Sequence, residues 1–507
     1  MNSFTQGSVE HRILALVGGC ACVGMFTVTE PCHAGLEALA GEFANEVEEE
    51  SARANQATYE SLLLANGGPC PANLRMASEN CTGDTFNVFN STRELVQTAN
   101  ELTGSGPTEF SLGVDLTGLG TALRWTSGEE FSGQGSLSSE LVTAQLSGLA
   151  SRITALRFGA TGFSIAGLNT INEESLAGSQ PSGQAYGMGA SADTVIDGFS
   201  RWGGFLNGSY GYGDKEPTGN ENAFNFDGFE VNAGVDYRWD DQWVTGLVAG
   251  YLHREVDFEP VGIIVVDGGI DADGFSLMPF ALYQSDSLFA SISFGYQQLS
   301  FDTDRAIKYP SLNPDVSSTN TRTSSSTDSD GWSASGSLGY GFTWGAVSLE
   351  PYLSAEYRDT EVDGFTERDV NGDGFDLIVS DQGIESFEGG LGVRLQYTWT
   401  PSFGVFLPYL DLQSRHQFLD DSRNIKAAYR GASDAVDQQI GFRVATDELD
   451  SQYYSASLGV SAVVRGARQT SDGPAAGGIQ AYIAYRTVMG LRDYTHDVVT
   501  GGLRYEF

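Results

Sequence analysis

Residues 493–507 read DYTHDVVTGGLRYEF, and this stretch decides the fold. Val499, Gly501, Leu503, Tyr505 and Phe507 fall on one side of an extended chain, and Thr500, Gly502, Arg504 and Glu506 fall on the other. Period-two alternation with one apolar and one polar face is what a strand carries when its faces meet different solvents.

The same period recurs upstream from about residue 198. The pattern predicts strands near 201–212, 226–239, 243–256, 274–283, 288–299, 331–344, 347–362, 387–399, 405–418, 452–464 and 479–487, with 493–507 as the twelfth. The eighth is the clearest, because Phe387, Leu391, Val393, Leu395, Tyr397 and Trp399 alternate with Glu388, Arg394, Gln396 and Thr398. Four joins are short: Asp240-Asp241-Gln242, Ser285-Asp286-Ser287, Gly345-Ala346 and 400–404. Those at 213–225, 257–273, 300–330, 363–386 and 419–451 are long and polar. Short turns at one end and long loops at the other fit a transmembrane barrel of antiparallel strands. The join at 465–478 is longer than that rule predicts. Trp202, Trp239, Trp243, Trp344 and Trp399 all fall at the short-turn ends, as a girdle of aromatic rings at a lipid–water interface would. A soluble sandwich has no reason to gather tryptophans at one end.

Composition narrows the function classes. Acidic residues outnumber basic ones 66 to 27, for a formal charge of −39. Such a chain offers no surface for nucleic acid, whose binding needs cations to displace counterions. After the first thirty or so residues no stretch is apolar for the ~18 positions of a spanning helix, which leaves a barrel open because its strands give a weaker signal.

Residues 1–34 read as a signal peptide: His11 and Arg12 precede an apolar run, Ile13 to Val28, with Cys32-His33-Ala34 as a small-residue exit. Two alternatives stand beside it, a buried helix and lipoprotein processing at Val17-Gly18-Gly19-Cys20. With Cys20, Cys22 and Cys32 removed, Cys70 and Cys81 remain as a pair expected to form a disulfide in an oxidising compartment. Residues 35–170 read as a mainly α-helical unit. Leu36, Leu39, Ala40, Phe43 and Val47 recur at helical spacing, Ser91 and Glu94 make a capping-box pattern, and Ser138 or Ser139 precedes a further apolar face. Residues 171–197 are expected to be a linker, centred on the Gly- and Ser-rich run 178–189, before a barrel over 198–507.

Candidate chemistry is sparse. Gly83-Asp84-Thr85 faintly resembles an esterase Gly-Asp-Ser but has Thr for Ser and no local His to act as base. His253, followed by Glu255 and Asp257, could serve as a base, although ordinary lumen polar groups are the plainer reading of His253, His416 and His496. No catalytic residue is therefore assigned. Asp369, Asn371 and Asp373 lie in DVNGDG, the spacing of a calcium loop, but the twelfth position is Ser380 where a bidentate Glu belongs. A solvated acidic loop is the plainer reading, calcium is the expected cofactor if there is one, and divalent ions bridging such loops to lipid phosphates are a third possibility.

A terminal Phe on an alternating strand resembles the C-terminal signal of bacterial outer-membrane barrels. Residues 198–507 resemble the translocator domain of autotransporters (type V secretion), with Arg201-Trp202-Gly203-Gly204-Phe205-Leu206-Asn207-Gly208 opening the barrel and Leu503-Arg504-Tyr505-Glu506-Phe507 closing it. Leu123-Arg124-Trp125, Gly128-Glu129-Glu130 and Ala155-Leu156-Arg157 are similar to the leader of a subgroup with short helical passengers. The resemblance implies a bacterial outer-membrane location, and assembly by the barrel-assembly machinery, which would read Leu503, Tyr505 and Phe507. It also implies periplasmic chaperones, lipid and lipopolysaccharide as surroundings, and a helix or linker threading the pore. Most relatives carry long β-helical passengers; here about 150 residues are left for one, and no Asn-Asn dipeptide offers in-pore cleavage, so retention is expected. The expectation is a non-enzymatic barrel that displays or exports the helical unit at the cell surface. The alternative is a plugged barrel or passive channel with that unit in the periplasm.

Overall fold

The computed structural model describes residues 35–65, 83–135, 137 and 202–506, with short gaps at 241, 260–267, 286, 402, 420, 434–439, 466–467, 471–472 and 477. The signal peptide, Cys70 and Cys81, the helix expected after Ser138, the linker and Phe507 lie outside the described residues.

Twelve antiparallel strands form one closed sheet: β1 Trp202–Lys215, β2 Phe224–Arg238, β3 Trp243–Phe258, β4 Gly269–Gln284, β5 Leu288–Tyr309, β6 Thr319–Tyr340, β7 Val347–Val362, β8 Gln382–Tyr397, β9 Val405–Gln417, β10 Gln452–Arg465, β11 Ile479–Met489 and β12 Asp497–Glu506. Each pairs with its sequence neighbour, and β12 closes on β1 from Gly203↔Glu506 to Tyr212↔Asp497. Closure leaves no open sheet edge, which lipid requires because an unpaired backbone group there costs several kcal/mol.

The alternation is carried through in burial. Leu206, Val231, Val235, Leu247, Ile292, Leu353, Leu391 and Leu458 are exposed on the outer face, while Asn232, Asp236, Glu350, Arg358, Glu388 and Asp411 are buried within the barrel. The inward charges pair with one another: Arg358 with Glu356 at 2.6 Å and Glu388 at 2.9 Å, Arg415 with Glu388 at 2.8 Å, and Arg394 with Asp411 at 2.7 Å. A chain so acidic overall thus sends arginines inward, where the carboxylates of neighbouring strands would otherwise face each other unpaired.

At the short-turn end, Gly345 takes a left-handed φ of 61° in the tight turn from the short strand Phe342–Trp344 into β7. The long join at 465–478 contains a small hairpin, Arg468–Thr470 with Gly473–Ala476.

The structure differs from the expected loops at the opposite end. Residues 300–330 are not mainly loop: β5 and β6 each continue to 22 residues and pair as far as Tyr309↔Thr319. Their Ser, Thr and Asp residues read as polar loop, yet Leu299, Phe301, Thr303, Arg305, Ile307 and Tyr309 keep the inward parity and are buried. The loops at 363–386 and 419–451 contribute four short strands, Phe365–Thr366, Leu377–Val379, Asn424–Tyr429 and Phe442–Ala445, that form a small sheet of their own.

Among the described residues the helices that precede the barrel include α1 Glu46–Ala65, α2 Gly83–Thr103 and α3 Leu116–Ser127. The helical spacing read from Leu36 to Val47 is broken at Gly41, where φ is 83°, into a short turn at Leu36–Leu39 and the start of α1. Glu46, Glu48 and Glu49 then sit in the first turn of α1, where their charge complements the helix dipole. The capping box at Ser91 and Glu94 does not start a helix. It lies inside α2, and the Ser91 hydroxyl donates back to the Asn87 carbonyl at 2.9 Å, a bond that interior serines make when no free amide is near. Asp115 is the real cap of α3, accepting from the Gly118 amide at 2.8 Å.

Candidate functional site

The helices stand on the long-loop end of the barrel and share its core. Leu62, Val88, Phe89, Leu95, Leu119, Leu123 and Phe131 belong to one buried apolar cluster with Phe301, Ile307, Tyr309, Leu377, Tyr429 and Phe442. Phe131 meets Phe365 edge-on at 5.1 Å. At about 25 cal/mol per Å2 of buried apolar surface, a shared cluster of this kind holds two elements together without any single strong bond.

Polar contacts fix the register of that packing. The Arg305 guanidinium, fully buried, holds Glu367 at 2.6 Å and donates at 3.1 Å to the carbonyls of Trp125 and Phe375. It therefore ties the end of α3, where carbonyls lack helical partners, to β5 and the 363–386 loop. The Tyr429 hydroxyl donates to Asn55 Oδ1 at 2.9 Å, and Asn55 Nδ2 donates to the Ser51 carbonyl. Asn313 at the tip of the β5–β6 hairpin donates to the Ser111 carbonyl at 2.8 Å. Gln134 reaches Thr303 on β5 at 3.2 Å and accepts from Gln382 on β8. Arg430 pairs with Asp84 on α2 and with Asp376.

Beneath α3 lies a buried charge cluster. Arg124 pairs with Glu129 at 2.7 Å and donates to the Thr218 carbonyl in the β1–β2 loop. Lys215 pairs with Asp447 at 2.8 Å and Glu221 at 3.3 Å. Burial pushes the Glu129 carboxyl up to about 8 and the Glu130 carboxyl up to about 7, against the pull of Arg124 and Arg305 respectively.

The residues singled out in the sequence fall as follows. Trp202, Trp239, Trp243, Trp344 and Trp399 are all exposed on the outside at the short-turn end. Leu503 and Tyr505 face outward on β12. Asp369 accepts from the amides of Asn371, Gly372 and Phe375, so its oxygens close their own loop, while Asn371 Nδ2 approaches the Asn320 carbonyl. Gly374, at φ 84°, brings that loop against α2, where a side chain at 374 would lie 2.6 Å from the Val88 amide. Among the described residues no group of three or more His, Cys, Asp and Glu is arranged to hold a metal ion.

The three histidines do not converge. His253 lies on the outer face between Asp273 and Glu255, His416 stands edge-on to Phe418 at 4.6 Å, and His496 packs against Phe226. Burial, with Arg254 and Arg486 nearby, pushes the His496 imidazole down to about 3, so it is neutral at ordinary pH. Sequence reasoning missed Arg305, Glu367, Tyr429 and Asn55, and only the odd-numbered alternation through 299–309 could have flagged the first of these.

A closed twelve-stranded barrel with an apolar outer face, a charged interior and exposed tryptophans at its short-turn end is an outer-membrane translocator-type barrel. The autotransporter beta-domain family model matches residues 204–469, just over half of the chain, and the chain belongs to that family. It is 28% identical over 204 residues to an uncharacterised protein of the trpE–trpG intergenic region of Pseudomonas putida, covering 39% of this chain and 31% of that one. It is 25% identical over 235 residues to the esterase EstA of Pseudomonas aeruginosa, covering 44% of this chain and 33% of that one. The matched segment thus spans about a third of the length of these relatives. Among solved structures it is similar to the translocator domain of autotransporter NalP from Neisseria meningitidis, with a TM-score of 0.43, 12% identity, and coverage of 62% of this chain and 90% of that one.

Proposed function

We propose that the barrel carries its own N-terminal helical unit across the outer membrane and keeps it at the cell surface as a folded cap over the barrel mouth. One observation carries this reading. The described helical unit ends at Leu137, buried at the long-loop end, whereas the barrel begins at Trp202 at the short-turn end. Long loops face the outside in outer-membrane barrels. The two described ends therefore lie on opposite sides of the membrane, and the lumen is the route between them that avoids lipid. Retention follows from the shared core, and no catalytic step is assigned to the chain.

The test is an epitope inserted between Gly41 and Glu42, an exposed turn, read by antibody on intact cells. Labelling without permeabilisation is expected. Labelling only after the outer membrane is opened would favour a periplasmic unit and a plugged barrel. Protease shaving is a poorer probe, since more than half of α2 is buried.

A further inference from the structure

We infer that docking of the helical unit on the barrel mouth is coupled to protonation of Glu129 and Glu130, so that the mouth is held shut in acid and loosens toward neutral pH. The inference needs only the contact between helices and barrel, not the direction in which the cap faces, and so stands apart from the display reading.

The geometry is an interface with more carboxylates than cations. Glu129 and Glu130 follow α3 directly and are 1% and 3% exposed. Facing Glu129 are Arg124 from α3 and Glu221 from the β1–β2 loop. Facing Glu130 are Arg305 from β5, Glu367 from the loop after β7, and Arg124. Glu48 of α1 also acts on Arg124, Tyr429 on Arg305, and Glu221 on Arg423. Two of the cations are already matched, since Arg305 is held by both Glu367 oxygens and Arg124 by both Glu129 oxygens. Lys215, which pairs with Glu221, also serves Asp447. Glu130 is left over, and its Oε2 has no hydrogen-bond partner among the described residues. A fully ionised carboxylate in that position is compensated only in part, by the shared pull of Arg305 and Arg124, so burial favours the acid form in the docked state.

The direction of the pH effect follows from linkage. Both carboxyls are raised in the docked state, by burial first, to about 8 and about 7, while an undocked Glu in water keeps an ordinary value near ~4.3. Between those values the docked form binds more protons, so docking weakens as pH rises and levels off once both groups are ionised in both states. For each proton taken up, the opening equilibrium shifts by up to about tenfold per pH unit.

The experiment is amide hydrogen exchange on the full chain in detergent micelles from pH 5 to 8, corrected for intrinsic rates and read on α3 and on β8. Opening at α3 is expected to rise with pH while β8 stays constant. In Glu129→Gln/Glu130→Gln, neutral side chains of the same shape, the rise should flatten and protection at pH 8 should exceed wild type. A wild-type α3 whose opening does not change with pH, or a double variant with the wild-type slope, overturns the inference. Should the double variant not fold, infrared difference spectroscopy of Glu130→Gln against wild type at pH 6.5 decides: loss of a protonated-carboxyl band in the variant supports the inference, and an unchanged band refutes it.

Discussion

Replacing Arg305 by Met should release the helical unit and leave the barrel standing. The side chain is fully buried on β5, and its partner Glu367 is 1% exposed, so the substitution strands a carboxylate where water does not reach. Breaking a buried pair from one side costs about 3–5 kcal/mol. The carbonyls of Trp125 and Phe375 lose their donor too, but Met fills most of the volume, so the lower half of that range is the better figure. At ~1.4 kcal/mol per decade, a loss of about 3–4 kcal/mol raises the population of the undocked state by roughly two to three orders of magnitude. The effect should be local, because the strand ladders do not involve the Arg305 guanidinium. The assay is hydrogen exchange on α1 and α3 in micelles, with heat-modifiable gel mobility reporting on the barrel. Arg305→Met/Glu367→Gln, which removes the stranded charge, should recover part of the loss. If α3 exchange in Arg305→Met stays within about threefold of wild type, or the barrel's mobility is lost along with the cap, the account of Arg305 as the tie between them is wrong.

Tyr429→Phe should loosen α1 by about 1–3 kcal/mol, because buried Asn55 Oδ1 loses the hydroxyl that donates to it; exchange at residues 51–59 checks this. Leu353→Arg, on the lipid-facing side of β7, should cost the barrel about 2–4 kcal/mol in refolding titrations while leaving cap exchange at native pH unchanged. Asp369→Ala should raise exchange at 371–375, where three amides lose their acceptor, equally with and without calcium. Calcium protection of that loop in the wild type but not in Asp369→Ala would instead establish the DVNGDG stretch as a cation site.

The barrel was legible because lipid imposes its period on every strand that crosses it. Leu391, Val393, Leu395 and Tyr397 must face out, and no tertiary partner can override that. Beyond the membrane the constraint disappears. Along 299–309 the outward residues Ser300, Asp302 and Asp304 meet water, and the inward ones include Thr303 and Arg305. Polarity alone therefore resembles a loop, although the alternation continues. The helices were legible only in part for a related reason. α1 buries Ser51, Asn55, Gln56 and Thr58, residues that a helix on a purely apolar core would turn to solvent. The partners of Asn55, Thr126 on α3 and Tyr429 in the 419–451 loop, lie 71 and 374 positions away. No local pattern encodes a bond of that span.

The polar character of α1 bears on what the helical unit is. Helices of this length are marginal in water unless an apolar face is packed. Here the helices pack on one another and on the barrel: Phe301, Ile307, Tyr309, Leu377, Tyr429 and Phe442 complete the cluster that Leu62, Phe89, Leu123 and Phe131 begin. Before the strands are assembled, those side chains and the acceptors held by Arg305 and Tyr429 would have no partners. The described part of the helical unit therefore shares its core with the barrel as well as within itself. The unit's own polar residues then specify one docked arrangement, because the Ser51 hydroxyl finds the Leu123 carbonyl, and Asn55 finds both Thr126 and the Tyr429 hydroxyl, only when α1, α3 and the strand at 424–429 meet.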